Sequence, residues 1–142
     1  MMLTVSKEFA FEAAHMLSEH EGDCKNLHGH SYKMIVEATG DMKDGMVIDF
    51  KDLKRIVKDT IIDKIDHSFI YFNASKDEVE HKIADILKKS GKRVFEVNYR
   101  PTAENMAMDF YNILNDKLAD KGIRVVSITL YETQTSFAKV VG

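Results

Sequence analysis

Three histidines and a cysteine fall near the start of the chain: His15, then Cys24-Lys-Asn-Leu-His28-Gly-His30. Side chains alternate faces along a strand, so His28 and His30 share a face if this stretch is extended. The alternation of Tyr32, Met34 and Val36 that follows indicates that it is. His15 ends the preceding strand pattern and could add a third imidazole. Three imidazoles with a fourth position left to water or substrate make a catalytic zinc site. The same residues also read as half-buried strand histidines, in a chain with three more (His20, His67 and His81). Cys24 has two readings as well. It packs as a small hydrophobe, or, in the polar loop of Gly22, Asp23, Lys25 and Asn26, it supplies a thiolate made accessible by the lysine and the metal.

Further along, Asp66-His67 reads either as a polar helix end or as an acid/base imidazole oriented by its neighbouring carboxylate. Glu132 shares a strand face with Ile128 and Leu130. It is an exposed strand end, or a carboxylate awaiting a pair of donors from a ligand. Glu104 reads first as an acidic residue in the opening turn of a helix.

The elements that must position these groups alternate in period. Leu3, Val5, Phe9, Phe11, Ala13 and His15 form the apolar face of a first strand, interrupted by Lys7. A loop over 17–27 leads to a second strand over 28–39, and Gly40–Gly45 makes a turn. Asp49 caps a helix with Phe50, Leu53, Ile56, Val57 and Ile61 on its apolar face. A second helix is patterned by Val79, Ile83, Ile86 and Leu87 and ends at Gly91, and 93–98 offers a short strand. Pro101 and Thr102 open a third helix along Ala103, Ala107, Phe110, Leu114 and Leu118, which Gly122 stops. Strands over 123–133 and 137–141 close the chain. This order implies an α+β fold, helices on one face of an antiparallel sheet. Phe9 and Phe11 suggest a second apolar sheet face, to be covered by another subunit.

The chain has 142 residues, enough for one domain, and a net charge of −3 without a basic stripe, so no nucleic-acid partner is expected. No apolar run suits a membrane, and no signal sequence is evident. The single cysteine cannot form an internal disulfide, which fits a cytoplasmic protein.

Taken together, Phe9-Ala-Phe-Glu-Ala-Ala-His15, Cys24-x-x-x-His28-Gly-His30, Gly45-Met-Val-Ile-Asp-Phe50, Asp66-His67, Pro101-Thr-Ala-Glu-Asn105 and Tyr131-Glu132-Thr133 resemble the 6-pyruvoyltetrahydropterin and 6-carboxytetrahydropterin synthase family. The resemblance implies a tunnelling fold. In it a four-stranded antiparallel sheet with helices on one face trimerises into a barrel, and two trimers stack as a homohexamer with active sites between subunits. It implies that His15, His28 and His30 hold Zn2+, that Cys24 is the general base and that Asp66 and His67 form a relay. Glu132 would anchor the pterin, with Thr102 and Glu104 counted among the substrate-binding residues. The Cys24–His28 interval looks like that of the bacterial and archaeal carboxy enzymes. These turn 7,8-dihydroneopterin triphosphate, a pterin triphosphate, into 6-carboxy-5,6,7,8-tetrahydropterin on the route to queuosine. A 6-pyruvoyltetrahydropterin synthase or a related pterin side-chain lyase, such as an aldolase acting on dihydroneopterin or sepiapterin-like compounds, is the first alternative, and a non-catalytic pterin- or purine-binding module the second. The chain departs from the family at Ser68, where a second His or an Asn is common, and in the long segment Asn73–Arg100. Lys25 and Lys139 are candidate phosphate ligands.

Overall fold

The computed structural model describes residues 1–142. Strand β1 (Val5–His15) pairs antiparallel with β2 (His28–Gly40), His15 lying directly opposite His28. A helical run follows: α1 (Phe50–Val57), a wider π-helical turn at Lys58–Ile62, and the short α2 (Asp63–Ile65). It begins where the Asp49 carboxylate accepts the Lys51 N–H (2.8 Å), satisfying one of the amides that a helix start leaves free. Strand β3 (Ser68–Phe72), helix α3 (Glu78–Lys89) and strand β4 (Val94–Val97) come next. Helix α4 (Ala103–Leu118), strand β5 (Ile123–Tyr131) and strand β6 (Phe137–Val141) complete the chain. Gly122 makes the turn after α4 with φ of 71°, a left-handed conformation that suits glycine.

The sheet has six strands in the order β4-β3-β1-β2-β5-β6, not the expected four. The antiparallel foursome is there as β1-β2-β5-β6. To its β1 edge the chain adds β3, parallel to β1, and β4, parallel to β3. Parallel neighbours need a long crossover. The segment Asn73–Arg100 provides it: α3 is the crossover helix of a β-α-β unit and β4 its second strand.

Helices are not confined to one face. On β3, Ile70 joins the main core, whereas Phe69 and Tyr71 point the other way and pack with Met16 and Ala84 of α3. Strand β3 is therefore buried on both sides, and its run Phe69-Ile70-Tyr71-Phe72 lacks the alternation that marks a half-exposed strand. The apolar face of α3 also differs from expectation. Val79 and Ile86 are exposed, and the fully or almost fully buried positions are Glu80 and Ala84.

Phe9 and Phe11 are a further correction. Both lie in the chain's own core, with Phe11 stacked on Tyr32 (4.8 Å between centroids) and edge-on to Phe110 of α4. They need no second subunit. The outward face of β1 carries Ser6, Glu8, Ala10 and Glu12 instead, all exposed.

Candidate metal and catalytic site

The β1–β2 pairing brings His15, His28 and His30 onto the helix side of the sheet, at its open end. One nitrogen from each ring lies within 4.8 Å of the others. His15 is fully buried, the other two partly so.

Hydrogen bonds fix two of the rings. Nδ1 of His15 meets the Pro101 carbonyl at 2.8 Å, and Nδ1 of His28 meets the Asn26 carbonyl at 2.7 Å. A carbonyl only accepts, so each Nδ1 carries a proton. The two Nε2 atoms face one another at 3.0 Å. A shared proton or a shared cation fills a gap of that size. Ligands on tetrahedral zinc stand about 3.3 Å apart at the usual Zn–N length. Nε2 of His30 is buried and makes no aligned hydrogen bond, although Glu132 Oε1 lies 3.2 Å away. The donor set, three imidazoles with no fourth protein ligand among them, fits zinc with one open position.

Electrostatics favour neutral rings. Burial brings His15 down to about 4, reinforced by His28, His30 and Arg100 and opposed by the Pro101 hydrogen bond. Burial lowers His30 too, with Glu132 opposing. A neutral imidazole is the form that binds a metal.

The orienting groups include two backbone carbonyls. They left no signal in the sequence, since every residue carries one; only the carboxylate of Glu132, beside His30, is of the acidic type expected around metal ligands.

The remaining predicted residues divide between two places. Glu132, just beyond β5, and Glu104, in the first turn of α4, line one cavity of about 580 Å³ with Met108, Phe137 and Lys139. Thr102 is not among its lining residues. Its hydroxyl caps α4 by accepting the Asn105 N–H (3.2 Å). Asp66 and His67 are paired, Nδ1 to Oδ1 at 3.0 Å, but they lie elsewhere. His67 shares a shallow cleft with Glu12, Gly29, His30 and Ser31 of β1 and β2. It sits at φ of 61° and its N–H is bound to the Glu12 carbonyl (2.6 Å), which projects an exposed ring. Burial works to raise the Asp66 carboxyl; the Glu12 N–H, His67 and Arg93 outweigh it and hold it below the usual range. Cys24 occupies a 3-10 turn (Asp23–Lys25), half-buried, its carbonyl accepting the Leu17 N–H at 2.9 Å. Its sulfur is not one of the clustered metal-ligand atoms. Lys25 lines a separate hollow beside Leu27 and Val79. His30 therefore belongs both to the imidazole cluster and to the cleft that His67 lines.

The 6-pyruvoyl tetrahydropterin synthase family model matches residues 4–142. The chain belongs to this family. A tetrahydropterin synthase relative from Haemophilus influenzae, a 6-carboxy-5,6,7,8-tetrahydropterin synthase, is 46% identical over 97% of this chain and 98% of its own length. Another of that name, from Aquifex aeolicus, is 34% identical over 98% of each. The fold is shared with a 6-pyruvoyl tetrahydropterin synthase of Caenorhabditis elegans, with a TM-score of 0.69 and 24% identity over 100% of this chain and 96% of that one. It is also shared with an uncharacterized protein of Wolinella succinogenes, with a TM-score of 0.79 and 22% identity over 100% and 99%. No helix is long and apolar enough to cross a membrane.

Proposed function

We propose that this chain is a zinc-dependent 6-carboxy-5,6,7,8-tetrahydropterin synthase. It converts 7,8-dihydroneopterin triphosphate to the carboxytetrahydropterin, acetaldehyde and triphosphate, in the cytoplasm, as a step towards queuosine. The single observation that carries this reading is the convergence of the Nε2 atoms of His15 and His28, beside His30 and one contact away from Glu132.

His15, His28 and His30 would hold the ion. Bound there, zinc supplies a Lewis acid that polarises the side-chain oxygens of the substrate and acidifies the neighbouring C–H bonds. Glu132 accepts two parallel N–H bonds from the aminopyrimidine edge of the pterin. Its position 3.2 Å from His30 brings the ring next to the metal ligands. Glu104 and Lys139 line the same cavity; Glu104 adds a second acceptor, and Lys139 a cation for the phosphates. Thr102 contributes by fixing the start of α4, which carries Glu104. Cys24 takes a proton from the substrate as thiolate, and the Asp66–His67 pair relays it.

The reaction centre is read as shared between subunits. The Cys24 sulfur is not among the clustered ligand atoms, and His67 projects an exposed ring from its pair with Asp66. That arrangement supports a homohexamer, a dimer of trimers, in which the relay of one chain serves the metal site of its neighbour.

Mass spectrometry of products from zinc-loaded protein and 7,8-dihydroneopterin triphosphate tests the reading. Carboxytetrahydropterin with acetaldehyde is expected. A pyruvoyl product would move the chain to the other branch of the family, and binding without turnover would make it a pterin-binding module.

A further inference from the structure

The segment Asn73–Arg100 buries a charge. Glu80 of α3 is fully buried, in a helix whose Val79 and Ile86 face solvent. A buried carboxylate is stable only when its acceptor sites are filled. Here Oε1 accepts from Arg100 Nη1 and from the Ser18 hydroxyl, both at 2.9 Å, and Oε2 from the Phe72 N–H at 3.2 Å. Arg100 in turn donates from Nη1 to the Met16 carbonyl (2.9 Å), approaches Ser75 Oγ from Nη2 (3.4 Å), pairs with Glu19 and lies over the Phe72 ring at 4.6 Å.

The backbone around this pair leads straight to the metal ligands. Met16 follows His15. Pro101 follows Arg100, and its carbonyl is the group that holds His15 Nδ1. One guanidinium therefore fixes the chain on both sides of the hydrogen bond that sets the His15 tautomer. Ser18 and Glu19, held by the same pair, begin the loop that Leu17 closes onto Cys24. We propose that the Glu80–Arg100 pair is the positioning device by which the segment Asn73–Arg100 orients His15 and the Cys24 loop, an inference that rests on His15 being a metal ligand. The segment acts as a brace behind the site. Only a planar fork makes these contacts together; a lysine ammonium on a flexible stem does not.

The test compares Arg100→Lys and Glu80→Gln with Lys88→Ala, which removes a different ion pair of the same segment (Lys88 to Glu96, 2.5 Å). Cobalt(II) affinity is measured by chelator competition, and the His15 tautomer by long-range 1H–15N spectra of the metal-free protein. Arg100→Lys is expected to lose about 10- to 100-fold in cobalt affinity, as for other groups that orient a ligand, and to lose the single Nδ1–H pattern of His15. Lys88→Ala should change neither. Lowered unfolding stability with unchanged tautomer and affinity overturns the proposal. Should Arg100→Lys fail to fold, Glu80→Gln, which keeps the shape and one acceptor oxygen but removes the charge, is judged by the same two measurements. If the wild-type chain takes up no cobalt, the metal reading falls, and the tautomer alone decides whether the pair positions His15.

Discussion

Metal-free protein should lose stability between pH 6.5 and 4 because of His15. In the fold this ring titrates at about 4, against an ordinary 6.5. The unfolded chain therefore takes up a proton on His15 at a pH where the folded chain does not. The sign follows: with the folded value depressed, stability is complete above 6.5, falls as the pH drops, and levels off below 4. His15 is fully buried, so solvent screening gives no discount. At about 1.4 kcal/mol for each pH unit of difference, the full loss comes to about 3.5 kcal/mol. His30, also lowered, acts in the same direction. Urea unfolding in the presence of a chelator, at half-unit pH steps, measures it. The comparison is His15→Gln, an uncharged side chain of related size. Its profile should run flatter than that of the wild type across this window. Parallel profiles would refute the assignment of a buried, neutral His15. Zinc should raise the wild-type curve most at neutral pH, since binding to the folded state alone adds stability by mass action.

Other outcomes follow from the same geometry. Co-expressing Cys24→Ala and His67→Ala chains, each inactive alone, should restore activity to about a quarter of the sites if random assembly pairs intact residues across a subunit boundary; no recovery in the mixed oligomer would contradict shared sites. Glu132→Gln should raise KM about 10- to 100-fold, the worth of hydrogen bonds to a charged acceptor, with a smaller effect on kcat in steady-state assays. Gly122→Ala should cost about 1 kcal/mol in thermal unfolding through its left-handed backbone, because a Cβ there meets nothing within 4 Å.

Much of this was legible residue by residue, and the failures have physical causes. The alternation through Tyr32, Met34 and Val36 marked β2, and all three are buried. The face Ala103, Ala107, Phe110, Leu114 and Leu118 is the buried face of α4. Strand β3 escaped because burial on both sides erases period two, so Phe69-Ile70-Tyr71-Phe72 carries no facing information. Half of the α3 face was legible, since Ile83 and Leu87 pack on the smaller core; the rest was missed because Glu80 reads as a solvent residue until Arg100, 20 positions away, is known to meet it. His15, His28 and His30 could be grouped because a hairpin keeps them local. That His67 lies beside Glu12 could not be read, since it depends on a left-handed residue and a parallel pairing with β1.

The bond from His15 to Pro101 spans 86 positions, and this sets an order of events during synthesis. The hairpin holding all three imidazoles is complete once Gly40 has been made, and its contacts are local and quick to form. Pro101 must still be translated, and bringing it back requires closing a long loop after β3 and β4 have docked. A nascent chain thus displays its ligands well before it can dictate which nitrogen His15 presents. On the metal-site reading, ions met in that interval would face a pliant trio. The Pro101 carbonyl that orients His15 arrives only when the last third of the polypeptide folds over the first.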